Sequence, residues 1–304
     1  MNAKKLSIAF SLFVVTVFSQ ASFAQGLNWE GQTGALLTPF AYTASSPAGT
    51  FGKPEVGFHY LNGGNVIGND YQLHITEGVG KHFEIGYTAA LSSSGNVGLT
   101  GSGNYPPSYL FSNGFNEFHG KLNFVNENAW KTKWVPAIAA GAIGRIGIQR
   151  VGSVGLAHGA SANNADFYVV ATKTVTQVKG LPFVLSLGDK VTDASVFGIA
   201  GNAQNWQGRL FGAAAVVLKG PAKSTLIAGS EAVQQPHYVE GLPKAATVPT
   251  SLSYFVRIVP HLEGTPLQVD LAIVQAAGEV VNIPGNVVDL NARARFGIGI
   301  SYHL

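Results

Sequence analysis

The chain has 304 residues, 38 of them glycine and none cysteine, with 12% charged and 46% hydrophobic residues. Without cysteine there is no disulfide, no thiolate metal site and no lipid-modified N-terminal cysteine. Lys+Arg 19 against Asp+Glu 16 is too even a balance to favour nucleic acid as a partner.

The N-terminus reads as an export signal. Lys4 and Lys5 give the positive start, Leu6 to Phe18 the apolar core, and Ser22-Phe23-Ala24 a small-x-small site, so cleavage is expected after Ala24. The apolar run falls short of the ~20 residues of a spanning helix. Residues 25–54 then form an N-terminal periplasmic or lumen-plugging segment ahead of a barrel domain over 55–304.

From residue 55 onward, apolar and polar side chains alternate in short stretches. Strands are predicted at 55–62, 70–77, 81–91, 115–125, 134–146, 166–175, 181–188, 205–218, 222–231, 251–259, 265–276 and 292–304. Twelve is an even number, as single-chain bacterial outer-membrane barrels require, and the gaps between strands run long and short in turn. Tight turns at Gly78-Val79-Gly80, 176–180, Lys219-Gly220-Pro221 and 260–264 fall on one side, and long connections near 92–114, 147–165, 189–204, 232–250 and 277–291 on the other. The connections at 126–133 and 63–69 fit this rhythm less well. In the last strand Ala294, Phe296, Ile298, Ile300, Tyr302 and Leu304 share one face, opposite Arg293, Arg295, Gly297, Gly299, Ser301 and His303. An apolar face against a charged, glycine-rich face fits lipid outside and a wet lumen inside. The expected fold is all-β, a transmembrane antiparallel up-and-down β-barrel of about twelve strands in a Gram-negative outer membrane. Its first partners are outer-membrane lipid and the barrel-insertion machinery.

Gly34-Ala35-Leu36-Leu37-Thr38-Pro39, then Ala41 and Gly49, resembles the opening of outer-membrane barrel proteins encoded with exopolysaccharide-production clusters. The mature chain as a whole more closely resembles a proteobacterial outer-membrane β-barrel family of unknown function. Phe167-Tyr168-Val169-Val170-Ala171 and Phe296-Gly297-Ile298-Gly299-Ile300-Ser301-Tyr302 fit the same resemblance. These motifs speak to architecture, and Leu304 stands where such barrels usually end in Phe or Trp.

No nucleophile elbow, zinc helix or phosphate-binding loop occurs, so neither an enzyme nor a cofactor is expected. By strand phase His59, His74, Glu84, Glu117, His119, Lys121, Arg209, Arg257, Asp270, Arg293, Arg295 and His303 point into the lumen. Glu84 and Glu117 are expected to face Arg293 and Arg295 across the barrel closure. Imidazoles at His59, His74 and His119 can converge on neighbouring strands, but no carboxylate at known reach completes a set, and no metal is expected. In the 92–114 connection Tyr105, Tyr109 and Phe111 are candidate ligand contacts on the cell surface. Three functional classes follow. One is a narrow, porin-like transport channel or export/uptake barrel for small polar solutes or polysaccharide. Another is a structural or adhesive surface protein with a plugged lumen. The third is an apolar-solute uptake barrel, which would show an apolar lumenal patch and a lateral opening.

Overall fold

A computed structural model of the chain describes residues 26–44, 51–62, 69–92, 114–148, 163–176, 178, 181–199, 201–238, 248–260, 267–277, 279–281, 287–289 and 295–304. The expected export signal, Arg293, Tyr105, Tyr109 and Phe111 lie outside the described residues.

Twelve strands close into an antiparallel barrel. They are β1 (Glu55–Asn62), β2 (Asn69–Val79), β3 (Phe83–Ser92), β4 (Gly114–Val125), β5 (Ala137–Ile148), β6 (Asn164–Val175), β7 (Phe183–Ala194), β8 (Asn202–Lys219), β9 (Thr225–Val233), β10 (Thr250–Val259), β11 (Leu267–Ala277) and β14 (Arg295–His303). Each pairs with its sequence neighbour around the ring, and β1 closes on β14 from Glu55↔His303 to Leu61↔Gly297. A separate hairpin, β12 (Glu279–Val281) with β13 (Val287–Asp289), occupies the connection before β14. Closure pairs every edge, as a sheet surrounded by hydrocarbon must.

The predicted strands all form, with ends within three residues of those expected except at the end of β7. The connection expected over 189–204 shrinks to 195–201, because β7 runs on through Lys190 and Thr192 and β8 begins at Asn202. Polar side chains at Asp189, Lys190, Thr192 and Asp193 hide the alternation beyond Gly188 in sequence. In the barrel they pair across β7 and β8 as Lys190↔Arg209 and Thr192↔Gln207.

The barrel is polar inside and apolar outside. Leu73, Ile75, Phe118, Leu122, Phe167, Leu187, Leu271, Phe296 and Ile300 are exposed, whereas His59, Glu84, Glu117, Lys121, Arg257 and Asp270 are buried. A water-soluble barrel has the opposite sense, so this exterior is a lipid-facing one. Aromatics gather towards the ends: Tyr60 packs on Tyr71 and Phe167 on Trp206 near the long loops, while Trp130 and Trp134 are exposed at the short-turn end.

Inward glycines serve a packing purpose. Gly86, Gly299, Gly141 and Gly188 each lie directly across the ladder from a ring, respectively His119, His59, Tyr168 and Phe211. A Cβ at any of the four would collide with that ring. Gly297 is different: a Cβ there meets only ordinary contacts with Leu61, Tyr60 and Ala272 at 3.5–3.8 Å. Gly297→Ser is therefore expected to assemble normally, whereas Ile298→Arg on the lipid face should lose about 2–4 kcal/mol. Urea titration of the vesicle-reconstituted barrel checks this, and equal stability of the two variants would reverse the assigned faces.

Candidate functional site

Residues 26–44 are mostly buried and pack against inward-facing side chains of the barrel wall. They fold locally because Asn28 Oδ1 accepts the N–H groups of Glu30 and Gln32 at 3.1 and 2.8 Å, and Gly31 takes φ 82° to complete the turn. A second turn follows, with Gly34 bridged to Pro39 and Ala35 N donating to Thr38 O at 2.9 Å. A Cβ at Gly34 would strike the Thr38 carbonyl and the Pro39 backbone, so the tightness of this turn depends on glycine.

The second turn presents successive backbone N–H groups to one wall carboxylate. Glu231 accepts from Leu36 N at 2.9 Å, Leu37 N at 2.9 Å, Thr38 N at 2.7 Å and Thr38 Oγ1 at 2.7 Å, and from Ser253 Oγ at 3.0 Å. Such a concave run of amides suits an anion, and here the barrel supplies it. Arg257 grips the same turn from the other side. Its guanidinium forks onto Asp270 at 2.7 and 2.9 Å and donates to Gly34 O at 2.8 Å and Ala35 O at 3.2 Å.

Two further charged groups hold the rest of the segment. Glu84 accepts from Thr33 N, Thr33 Oγ1 and Ala44 N, and pairs with Lys121 at 2.9 Å. Lys121 also donates to Thr33 O at 2.9 Å. Arg145 binds Glu30 of the segment together with Asp166 of β6, and Glu117 lies 4.0 Å from it. Asn123 Nδ2 donates to Ala41 O at 2.7 Å and Thr172 Oγ1 accepts from Ala41 N at 2.8 Å.

The acids find other partners than the barrel closure. Lys121 pairs with Glu84, and Arg145 is the cation beside Glu117, because both bases come from β4 and β5, next to the acids. Arg295 is half-buried opposite Val274 at the outer start of β14, three strands from β3. Arg209 is half-buried near the outer end of β8 and donates to Gln235 O at 2.8 Å. His303 sits half-buried opposite Glu55 at the short-turn end. His59 Nδ1 and His74 Nε2 share a hydrogen bond of 2.8 Å, and His74 Nδ1 meets Thr88 Oγ1 at 2.9 Å. His119 instead lies 3.9 Å from Glu84, and among the described residues no three ligating side chains are arranged to hold a metal.

Five gripping or pairing residues are absent from the sequence-based set: Glu30, Arg145, Asp166, Lys190 and Glu231. With the others they give eight buried carboxylates (Glu30, Glu55, Asp70, Glu84, Glu117, Asp166, Glu231, Asp270) against four buried permanent cations (Lys121, Arg145, Lys190, Arg257). The described interior is thus acid-rich, not divided into opposed acidic and basic walls. Its other part is apolar: Trp29, Leu36 and Leu37 of the segment pack with Ala137, Ala139, Val170, Phe211, Ala213 and Phe255 of the wall.

No family model matches the chain, and no curated protein matches its sequence. Among solved structures, the KdgM porin aligns over 82% of this chain and 99% of its own at 10% identity and a TM-score of 0.46. The NanC porin covers 83% and 98% at 7% identity and 0.42, and OprB of Pseudomonas putida 78% and 59% at 12% identity and 0.31. The likeness is one of barrel architecture.

Proposed function

We propose that this protein is an outer-membrane channel held closed at rest by residues 26–44, passing small polar solutes when that segment leaves the lumen. The observation that carries the reading is the charged grip of the wall on the segment. A barrel meant to be permanently solid is better filled with apolar side chains, because buried ion pairs repay their desolvation poorly. Seven buried carboxylates and four cations make sense on a wall that is wet in a second state. Twelve strands lie between the narrow barrels that side chains fill and the wide ones that hold aqueous channels, so departure of the segment would leave a passage. Cleavage after Ala24 would leave the segment tethered through 45–54 alone.

Open events should favour cations, since the wall acids outnumber the wall bases. The test is single-channel recording of the purified chain across a salt gradient. The expected trace is rare, brief openings whose reversal potential reports cation preference. Anion preference would contradict the charge assignment.

The apolar lumenal patch favours a second reading, uptake of apolar solutes. The described ladder is closed through all twelve strands, so such a solute would have to leave through the periplasmic mouth. Protection of a fluorescent apolar probe by the lumen, rather than conductance, would select this reading.

A further inference from the structure

The short-turn end of the barrel is basic on its surface. Lys53, Lys81, Lys131, Lys133, Lys219 and Lys223 are all exposed there. The acids described at that end do not answer them. Glu55 is buried and Glu77 half-buried, and Glu127 is taken by Lys173 at 2.9 Å, by the Tyr42 hydroxyl at 2.8 Å and by Thr174 N at 2.7 Å. We propose that the β4–β5 turn, through Trp130, Lys131, Lys133 and Trp134, binds the headgroup of an anionic phospholipid in the periplasmic leaflet.

The surroundings point to lipid rather than to a soluble anion. Trp130 and Trp134 are 77% and 76% exposed, and they flank the two lysines. The turn grows out of the lipid face, since Leu122 and Phe124 of β4 are exposed, as is Phe83, which pairs with Leu122 across the ladder. Indoles at the end of such a face belong at headgroup level. Lysines beside them lay their apolar stems along the wall and set their ammonium groups among the phosphates. The next hairpin extends the site. Lys81 lies in the β2–β3 turn, and Gly52 N donates to Gly78 O at 2.9 Å, which brings the stretch carrying Lys53 alongside. Adjacent hairpin turns stand about 10 Å apart, twice the strand spacing, so Lys81 and Lys131 can reach one headgroup.

The backbone of the turn gives a separate reason. Asn128, Trp130 and Lys131 sit at φ 60°, 55° and 60°, in the left-handed region that glycine enters freely, as Gly80 does at φ 59° in the β2–β3 turn. Glycine would hold the β4–β5 turn with less strain, yet tryptophan and lysine stand there. Side chains kept against backbone strain point to a use for them.

Brominated lipids test the site in the vesicle-reconstituted full chain, because bromine quenches indole fluorescence only at short range. Of the four tryptophans, Trp29 is buried inside the barrel, and Trp206→Phe removes the one near the long loops, so the signal reports lipid at Trp130 and Trp134. At equal mole fraction, brominated phosphatidylglycerol should occupy the turn at least about fivefold better than brominated phosphatidylcholine, the factor that one lysine near an anionic surface supplies. Lys131→Gly with Lys133→Gln should bring the ratio close to one. Glycine suits that backbone, so heat-modifiable migration should be kept. Lys131→Arg with Lys133→Arg retains the charge and should retain the preference. Salt gives a reading on the unsubstituted turn: about 1 M sodium chloride, with a Debye length of about 3 Å, should erase the preference. A ratio near one in the parent, a preference that survives loss of both lysines, or one indifferent to salt would overturn the proposal. The measurement involves no current, so the channel reading stands or falls separately.

Discussion

Deleting residues 27–44 is expected to turn rare openings into a steadily open channel, with conductance per channel raised roughly tenfold. In the full chain, Trp29, Leu36 and Leu37 are each at most 3% exposed, and burying such side chains contributes roughly 1.5–3 kcal/mol apiece. The grip on Glu231 and Arg257 adds to this. A bias of only about 3 kcal/mol holds an open state below roughly one per cent, so the intact chain should be nearly silent. The ladder from β1 round to β14 contains no residue of the segment, and heat-modifiable migration of the deletion variant should persist. The pairs Glu84–Lys121, Arg145–Asp166 and Arg257–Asp270 lie between wall residues and survive the deletion. Glu231 loses its main-chain donors at Leu36, Leu37 and Thr38, and Glu84 loses those at Thr33 and Ala44 but keeps Lys121. Glu231→Gln in the full chain should accordingly raise open probability less than the deletion does, because the amide cannot draw three N–H groups as a carboxylate can. If the deletion variant migrates as a folded barrel yet stays as silent as the parent, the structural or adhesive reading replaces the channel.

The barrel was legible because lipid imposes a simple code on each strand. Where both faces obey it, as at Phe118, Leu122 and Phe124 against Glu117, His119 and Lys121, sequence and structure agree on phase. The code fails where the lumen itself is apolar. The stretch Ala137 to Gly144 in β5 presents small or aliphatic residues on both faces, so nothing marks Arg145 as inward. Tyr168 and Val170 likewise follow Asp166 on the inner face of β6, with apolar residues on the outer face as well. Lys190 stands beside Asp189 and looks like the end of a strand. Ala137, Ala139, Ile143, Tyr168 and Val170 belong to the cluster in which the wall packs with Trp29, Leu36 and Leu37. Period two reveals which face a residue takes only when the two environments differ. A segment packed into the lumen makes them alike.

The role of Gly34-Ala35-Leu36-Leu37-Thr38-Pro39 was hidden for another reason. Its glycine, its threonine and its run of free amides are local features, but their partners Glu231 and Arg257 lie about two hundred positions away. A turn that offers several N–H groups to an anion can be suspected from sequence. That the anion belongs to the same chain follows only once the barrel brings β9 and β10 around the segment.

Arg145→Met should be the most damaging single substitution in the barrel, lowering its stability by about 3–5 kcal/mol. The guanidinium is buried and touches Glu30, Asp166 and Asn164, with Glu117 at 4.0 Å. Methionine fills much of its volume, so the loss is electrostatic. Three buried carboxylates would then face one another with only Lys190, 3.3 Å from Asp166, as a nearby cation. Paired substitutions separate this from a packing defect. In Arg145→Met with Asp166→Asn one repelling charge is gone, and in Arg145→Met with Glu30→Gln the segment's charge is removed instead. Each double variant should recover part of the loss, with a coupling energy within about 0.5–3 kcal/mol, the range seen for residues of one network. Arg145→Met by itself leaves the segment tied to β5 by no ion pair, so in the single variant and in both doubles the open probability should rise above that of the parent. Urea titration in vesicles gives the first quantity and single-channel recording the second. Additive losses in the doubles would show that the cluster does not act as a unit, and restored stability with no change in opening would separate this cluster from the latch on residues 26–44.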